Sequence, residues 1–385
     1  MGNTSDLVSN KSDYFPALTG VRAIAAYMVF FHHFNPGNHF NPLGYIFAEF
    51  SVGVNFFFVL SGFLIAYRYF GNFKGFRQYY INRFARIYPM YFLLTTLYFI
   101  LHHPNSIHNI EIFLANITFL RGFFDSLKFS MLAPGWSLTV EETFYFLAPV
   151  FFYFILTNSS FLIKLPVLII AFGIVQVLIF KNFNLYGFMG SFRFMFLYTF
   201  WGRCIEFFVG IMLAIQFKKQ RTIYRYVKNK TAMGLLIISI ILGSIVIAKH
   251  SLRIPDSSLL IIGCWFLPLF GIGLFYNGLL VEKTLISKIL SSKIFVLLGK
   301  SSYIFYLIHM DLFRFYFNYE KTHFGFPNFL VYLGGFVLVN IVSIILFRLV
   351  EDPLNKYLRR KLSVKKAVAE PKNVAEVIIN QENIS

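Results

Sequence analysis

Hydrophobic residues run along this chain in ten stretches separated by short polar segments, at about 17–35, 50–67, 87–103, 134–156, 164–180, 197–217, 231–249, 257–280, 293–317 and 328–350. A helix needs about 20 mostly apolar residues to cross hydrocarbon. Lipid offers no partner for exposed backbone groups, so such runs predict helices. The pattern therefore describes an all-α, polytopic membrane bundle of about ten transmembrane helices. A further stretch near 110–124 is too short and polar to cross, and is expected as a surface helix on the far side. The chain divides into a polar lead-in (1–14), a transmembrane region (15–355) and a basic, then polar tail (356–385). Beyond about Ser363 the tail reads as disordered. The segment Met1 to Asp13 lacks the basic, apolar and small-residue order of a removable signal peptide.

Composition agrees. The chain is 57% hydrophobic and only 14% charged, against about a quarter charged in soluble domains. Its formal charge of +18 would suggest nucleic acid in a soluble protein, but the cations lie between apolar runs. Taking the runs alternately, one set of loops holds Arg68, Lys74, Arg77, Arg83, Arg86, Lys218 to Lys230, Lys283 to Lys300 and Lys356 to Lys366. The opposite set holds few, among them Arg121, Lys128, Lys181, Lys249, Arg253 and Lys321. The positive-inside rule then puts both termini in the cytoplasm. Cys204 and Cys264 lie in apolar runs with no metal-ligand spacing, so no metal site is expected.

Ionisable groups at membrane depth are costly, so each marks a candidate site. Arg22 and His33 lie eleven residues apart in the first run. On a helix that spacing puts them on one face, about 16 Å apart along the axis. A neutral imidazole there suits a general base for a hydroxyl; the bland alternative is a buried histidine bonded to a neighbouring helix. Arg83 and Arg86, three apart at the start of the third run, form a fork that fits phosphate, or else express ordinary charge topology. Glu141 follows Trp136 near the start of the fourth run. It either complements the helix dipole or descends far enough to meet His33 and fix its tautomer.

Arg203 and Glu206 read as an intramembrane ion pair. His309 and Asp311 line a cavity or make a structural hydrogen bond. Glu351-Asp352-Pro353 reads as an architectural helix stop. His102, His103, His108, His250 and His323 fall in outer loops and are assigned no role.

These pieces together resemble the acyltransferase family 3 of membrane O-acyltransferases, which acetylates O-antigens and other glycans. The resemblance runs from Arg22 with ten residues to His33, through Gly53-Val-Asn55-Phe-Phe-Phe, Arg83-Phe-Ala-Arg86-Ile-Tyr88-Pro89, Trp136-Ser-Leu to Glu141, Phe144-Tyr145, Arg203-x-x-Glu206-Phe207 and Gly299-Lys-Ser-Ser302-Tyr303 to His309, ending at Glu351-Asp-Pro353. It departs at Asn55, where many relatives carry Asp, and at Met310-Asp311, where Trp-Pro is common. The resemblance implies a ten-helix domain with both termini inside. It implies His33 as the catalytic histidine, supported by Arg22, and Arg83 with Arg86 on the donor's phosphates. The esterase-like domain of some relatives is not expected after the last run.

The expected activity is transfer of an acyl group, acetyl foremost, from acyl-CoA to a hydroxyl of an envelope glycan or lipid-linked saccharide in the cell membrane. The coenzyme is a donor substrate, not a permanently bound cofactor. His33, oriented by Glu141 or a similar carboxylate, takes the hydroxyl proton; Ser61 and Tyr303 are cavity-lining candidates to stabilise the oxyanion. The competing class is a transporter or flippase, which also places Arg, His and Glu in membranes. Inverted repeats and broken helices, which mark many transporters, are not evident in the sequence.

Overall fold

The computed structural model describes residues 14–36, 42–73, 75–102, 107–183, 185–323 and 328–362. Most of the polar lead-in, Lys74, His103 and the tail beyond 362 lie outside these. In chain order the helices are α1 (Pro16–His33), α2 (Pro42–Ala48), α3 (Gly53–Tyr69), α4 (Phe76–His102), α5 (Ile107–Ile117), α6 (Trp136–Thr157), α7 (Phe161–Phe180) and α8 (Phe192–Tyr198). They continue as α9 (Phe200–Lys218), α10 (Lys230–His250), α11 (Asp256–Phe266), α12 (Gly273–Val281), α13 (Leu285–Leu290), α14 (Lys293–His323), α15 (Asn328–Leu346) and α16 (Asp352–Leu362). Among the described residues there is no sheet, only a lone bridge between Phe124 and Phe188.

Among the described residues, eight helical segments are long and apolar enough to cross a bilayer. They match eight of the ten expected runs. The other two runs are α1 and α14, which are helical but more polar: Arg22, His32 and His33 lie on one, and His309, Asp311 and Arg314 on the other. The two pack along each other at the centre, with α3 against α1 and α9 against α3. The most apolar segments lie outside. Those of α7 and α10 have mean hydropathy 2.5 and only 22% of their apolar stretch buried, whereas α3 and α9 lie in segments of lower hydropathy that are 67% buried. Apolar surface thus meets lipid, while the polar side chains point inward to one another.

Close backbone approach fixes the centre. A Cβ on Gly62 would lie 2.1 Å from the carbonyl oxygen of Phe207, and one on Gly210 would lie 2.1 Å from that of Val59. So α3 and α9 touch through reciprocal glycines, the small-residue contact that lets membrane helices associate by van der Waals packing. On α1, Leu18, Val21, Ala25 and Val29 form a buried stripe at helical spacing.

Two expectations are corrected here. The chain does not stop at Glu351-Asp352-Pro353. A π-helical turn at Phe347–Glu351 leads directly into α16. Pro353 falls in the first turn of that helix, where a missing N–H costs little. The stretch near 110–124 holds a shorter helix, α5, followed by a 3₁₀ turn at Leu120–Phe123. Arg121, expected as a loop charge, is fully buried there. It donates to Asn116 Oδ1 and to the carbonyls of Ser130 and Leu132, tying the segment before α6 into place.

Candidate active site

A cavity of about 840 Å³, counted to its open mouth, runs through the bundle between α1, α3, α4, α6 and α14. Arg22, Ser61, Arg83, Arg86, Glu141 and Tyr303, all singled out in the sequence, line it together.

Several of its polar groups are held by other helices. Ser61 Oγ donates to Glu141 Oε1 at 2.6 Å and accepts from the Tyr145 hydroxyl at 3.1 Å. Arg86 pairs with Glu351 at 3.3 Å, and the carboxylate is 2% exposed. The guanidinium of Arg83 lies 5.7 Å from the Tyr69 ring centre and 5.8 Å from that of Tyr145, within cation–π range. The Tyr303 hydroxyl donates to the carbonyl of Ile87 at 2.8 Å. The hydroxyl protons of Ser61 and Tyr303, the two expected oxyanion donors, are therefore already committed.

At the other end of the cavity Tyr306 bonds Ser137 at 2.9 Å. One turn further along α14, on the same face, comes His309, which is buried. His309 Nδ1 lies 2.8 Å from the Tyr306 carbonyl, and its Nε2 lies 3.0 Å from His33 Nδ1. A carbonyl can only accept, so His309 Nδ1 carries the proton. With both rings neutral, His309 Nε2 then accepts from His33 Nδ1–H, and His33 Nε2 is left as a lone-pair acceptor. That is the tautomer a general base needs.

His33 itself is not among the residues lining the cavity; it is exposed at the C-terminal end of α1. Its expected meeting with Glu141 does not occur. Glu141 lies five residues inside α6, about 7.5 Å of rise, which carries it to the level of Arg22. His33 stands eleven residues further along α1. The imidazole is oriented by a second imidazole in place of a carboxylate.

The Arg203–Glu206 pair is present at 2.6 Å, fully within the bundle. Asn55 accepts from the same guanidinium at 3.0 Å, so the departure at Asn55 keeps a buried acceptor in place. Neither His309 nor Asp311 lines the cavity. Sequence reasoning missed Glu351 as the partner of Arg86, and Tyr145 and Tyr306 as cavity walls. The one signal for Glu351 was a carboxylate beside a cluster of cations.

The family model described as an acyltransferase domain matches residues 15–348, most of the chain. The chain belongs to acyltransferase family 3. It is a multi-pass membrane protein of that family. Among curated proteins it is 28% identical over 177 residues to the peptidoglycan O-acetyltransferase OatA of Listeria monocytogenes, a match covering 40% of this chain and 27% of that protein. It is 32% identical over 157 residues to the putative peptidoglycan O-acetyltransferase YrhL of Bacillus subtilis, covering 36% and 24%. The matches thus span about a quarter of the length of each relative. No solved structure matches.

Proposed function

We propose that this protein is a membrane O-acyltransferase that moves an acetyl group from acetyl-CoA to a hydroxyl of a cell-wall glycan. Family membership supports the reaction class. The names of the two relatives support acetyl as the group and peptidoglycan as the acceptor type. The observation that carries the reading is the cavity, which joins the Arg83–Arg86 pair to the level of Tyr306, one helical turn from the His33–His309 pair.

Arg83 and Arg86 receive the pyrophosphate at the mouth. The pantetheine arm then extends along the cavity. Its twelve bonds reach roughly 14 Å when extended, at the span per bond of an extended backbone, close to the rise of about 16 Å between Arg22 and His33. The acceptor hydroxyl approaches His33 from the exposed side. Nε2 takes the hydroxyl proton as the oxygen attacks the thioester carbonyl. The C–S bond then breaks, and the imidazolium returns its proton to the departing thiolate. Ser61, backed by Tyr145, holds Glu141 in the cavity it shares with Arg22, beside the donor. Tyr14, at the start of the described chain, and Arg359, near its end, open onto the same mouth, and we assign that end to the cytoplasm, where the donor is made.

The test is acetyl transfer by the purified protein in lipid nanodiscs, with radiolabelled acetyl-CoA and soluble peptidoglycan fragments. Base-labile label on the glycan is expected. Label that never leaves the coenzyme, with glycan or with lipid-linked precursor as acceptor, contradicts the proposal.

A further inference from the structure

Outside the cavity mouth lies a second, wider hollow of about 1070 Å³ that shares Arg22, Arg83 and Arg86 with it. Five helices send cations there: Arg22 from α1, Arg68 from the end of α3, Arg83 and Arg86 from α4, Lys300 from α14 and Arg359 from α16. No carboxylate is among its lining residues. The positive-inside rule requires cations on this side of the membrane, but not that cations from five helices face one hollow, where they repel one another. Arg86 has Glu351 as counter-ion. Arg83 Nε and Arg359 Nε are buried atoms without a hydrogen-bond partner among the described residues, an arrangement that costs free energy unless an anion completes it. Aromatic rings share the walls. Phe15 and Tyr67 line the hollow with centres 4.9 Å apart, and the Lys300 ammonium lies 5.6 Å over the Tyr14 ring. Cations interleaved with aromatic faces are the chemistry that holds a nucleotide, base on ring and phosphate on guanidinium.

We propose that this vestibule binds the nucleotide end of the donor, with Arg68, Lys300 and Arg359 contacting the 3′-phosphate of coenzyme A. This rests on the acyl-CoA reading above and goes beyond it. The protein then selects coenzyme A thioesters over donors that present a phosphopantetheine arm without the 3′-phosphonucleotide. The charges correspond. With Arg86 paired to Glu351 and Arg22 sharing the inner cavity with Glu141, Arg68, Arg83, Lys300 and Arg359 supply four cations, and the donor carries about two negative charges on its pyrophosphate and up to about two on the 3′-phosphate. The ribose phosphate is the group that reaches the outer cations once the pyrophosphate occupies Arg83 and Arg86.

The experiment is calorimetric titration of the full chain, in nanodiscs of zwitterionic lipid, with coenzyme A and with 3′-dephospho-coenzyme A. The wild type should bind coenzyme A about tenfold or more tightly, the effect of one set of charge-assisted contacts. Arg359→Ala and Arg68→Ala should each weaken coenzyme A binding and leave dephospho-coenzyme A within about twofold. Equal affinity of the wild type for the two ligands overturns this proposal alone. Failure of both ligands to bind the wild type removes the donor assignment as well. Repeating the titrations with anionic phospholipid in the discs separates the other source of phosphate. If Arg359→Ala alters the lipid response while the ratio between the two coenzymes stays intact, the vestibule belongs to lipid headgroups and the proposal is overturned.

Discussion

His33 Nδ1 lies 3.0 Å from His309 Nε2, and the far nitrogen of His309 is held by the Tyr306 carbonyl. The proton order of both rings follows from that carbonyl, since it cannot donate. In the mechanism proposed above, His309 is a positioning residue that acts through His33. His309→Ala should lower kcat by about 10²-fold, the low end of the range for general base catalysis. The KM for acetyl-CoA should hardly move. His309→Gln, whose amide oxygen can accept from His33 Nδ1–H, should recover part of the rate. An Ala variant with wild-type kcat contradicts the assignment.

Arg86 and Glu351 form the ion pair that joins α4 to the π-helical turn before α16. Glu351→Gln leaves the guanidinium without its counter-ion and Arg86→Gln leaves a buried carboxylate alone. Each should lower stability by about 1–3 kcal/mol. The double variant should be less destabilised than the sum of the two, because neither charge is then stranded. Thermal unfolding in detergent measures the cycle, and strict additivity contradicts the pairing.

Gly62 has no room for a side chain, since its Cβ would overlap the Phe207 carbonyl. Gly62→Ala should cost about 1–3 kcal/mol through forced separation of α3 and α9. Gly243, where nothing lies within 4 Å of an added Cβ, should accept Ala without loss. Comparing the two variants by fluorescence-detected gel filtration after heating checks the contact.

Arg121 is fully buried and forks across three acceptors, two of them carbonyls nine and eleven residues further along the chain. Arg121→Lys keeps the charge but loses the planar fork. Segment 118–135 should then exchange backbone hydrogens at least tenfold faster, corresponding to about 1.4 kcal/mol of lost local stability, with α7 and α10 unchanged. Hydrogen exchange read by mass spectrometry tests this, and unchanged rates contradict it.

The outer ring of the bundle was legible in the sequence because α7 and α10 are apolar on every side, and composition alone determines a lipid-facing helix. The cavity residues were legible one helix at a time, since Arg22, Arg83, Arg86 and Glu141 are charges in apolar runs. Their partners were not. Which carboxylate meets Arg86 depends on the π-helical turn at Phe347–Glu351, a one-residue change of register that leaves no mark in hydropathy. Glu141 was assigned to the wrong side chain because helix spacing fixes depth within one helix but not the offset between two. Arg121 looked like loop charge because its acceptors are backbone carbonyls, which every sequence supplies and none advertises.

The central claim is that His33 Nε2 takes the proton from the acceptor hydroxyl. The most direct measurement is single-turnover transfer of labelled acetyl from acetyl-CoA to glycan by His33→Ala, with the folded state verified by an unchanged melting temperature and unchanged coenzyme A affinity. The account predicts a loss of at least about 10²-fold in rate with donor binding intact. Turnover at the wild-type rate in that variant contradicts it.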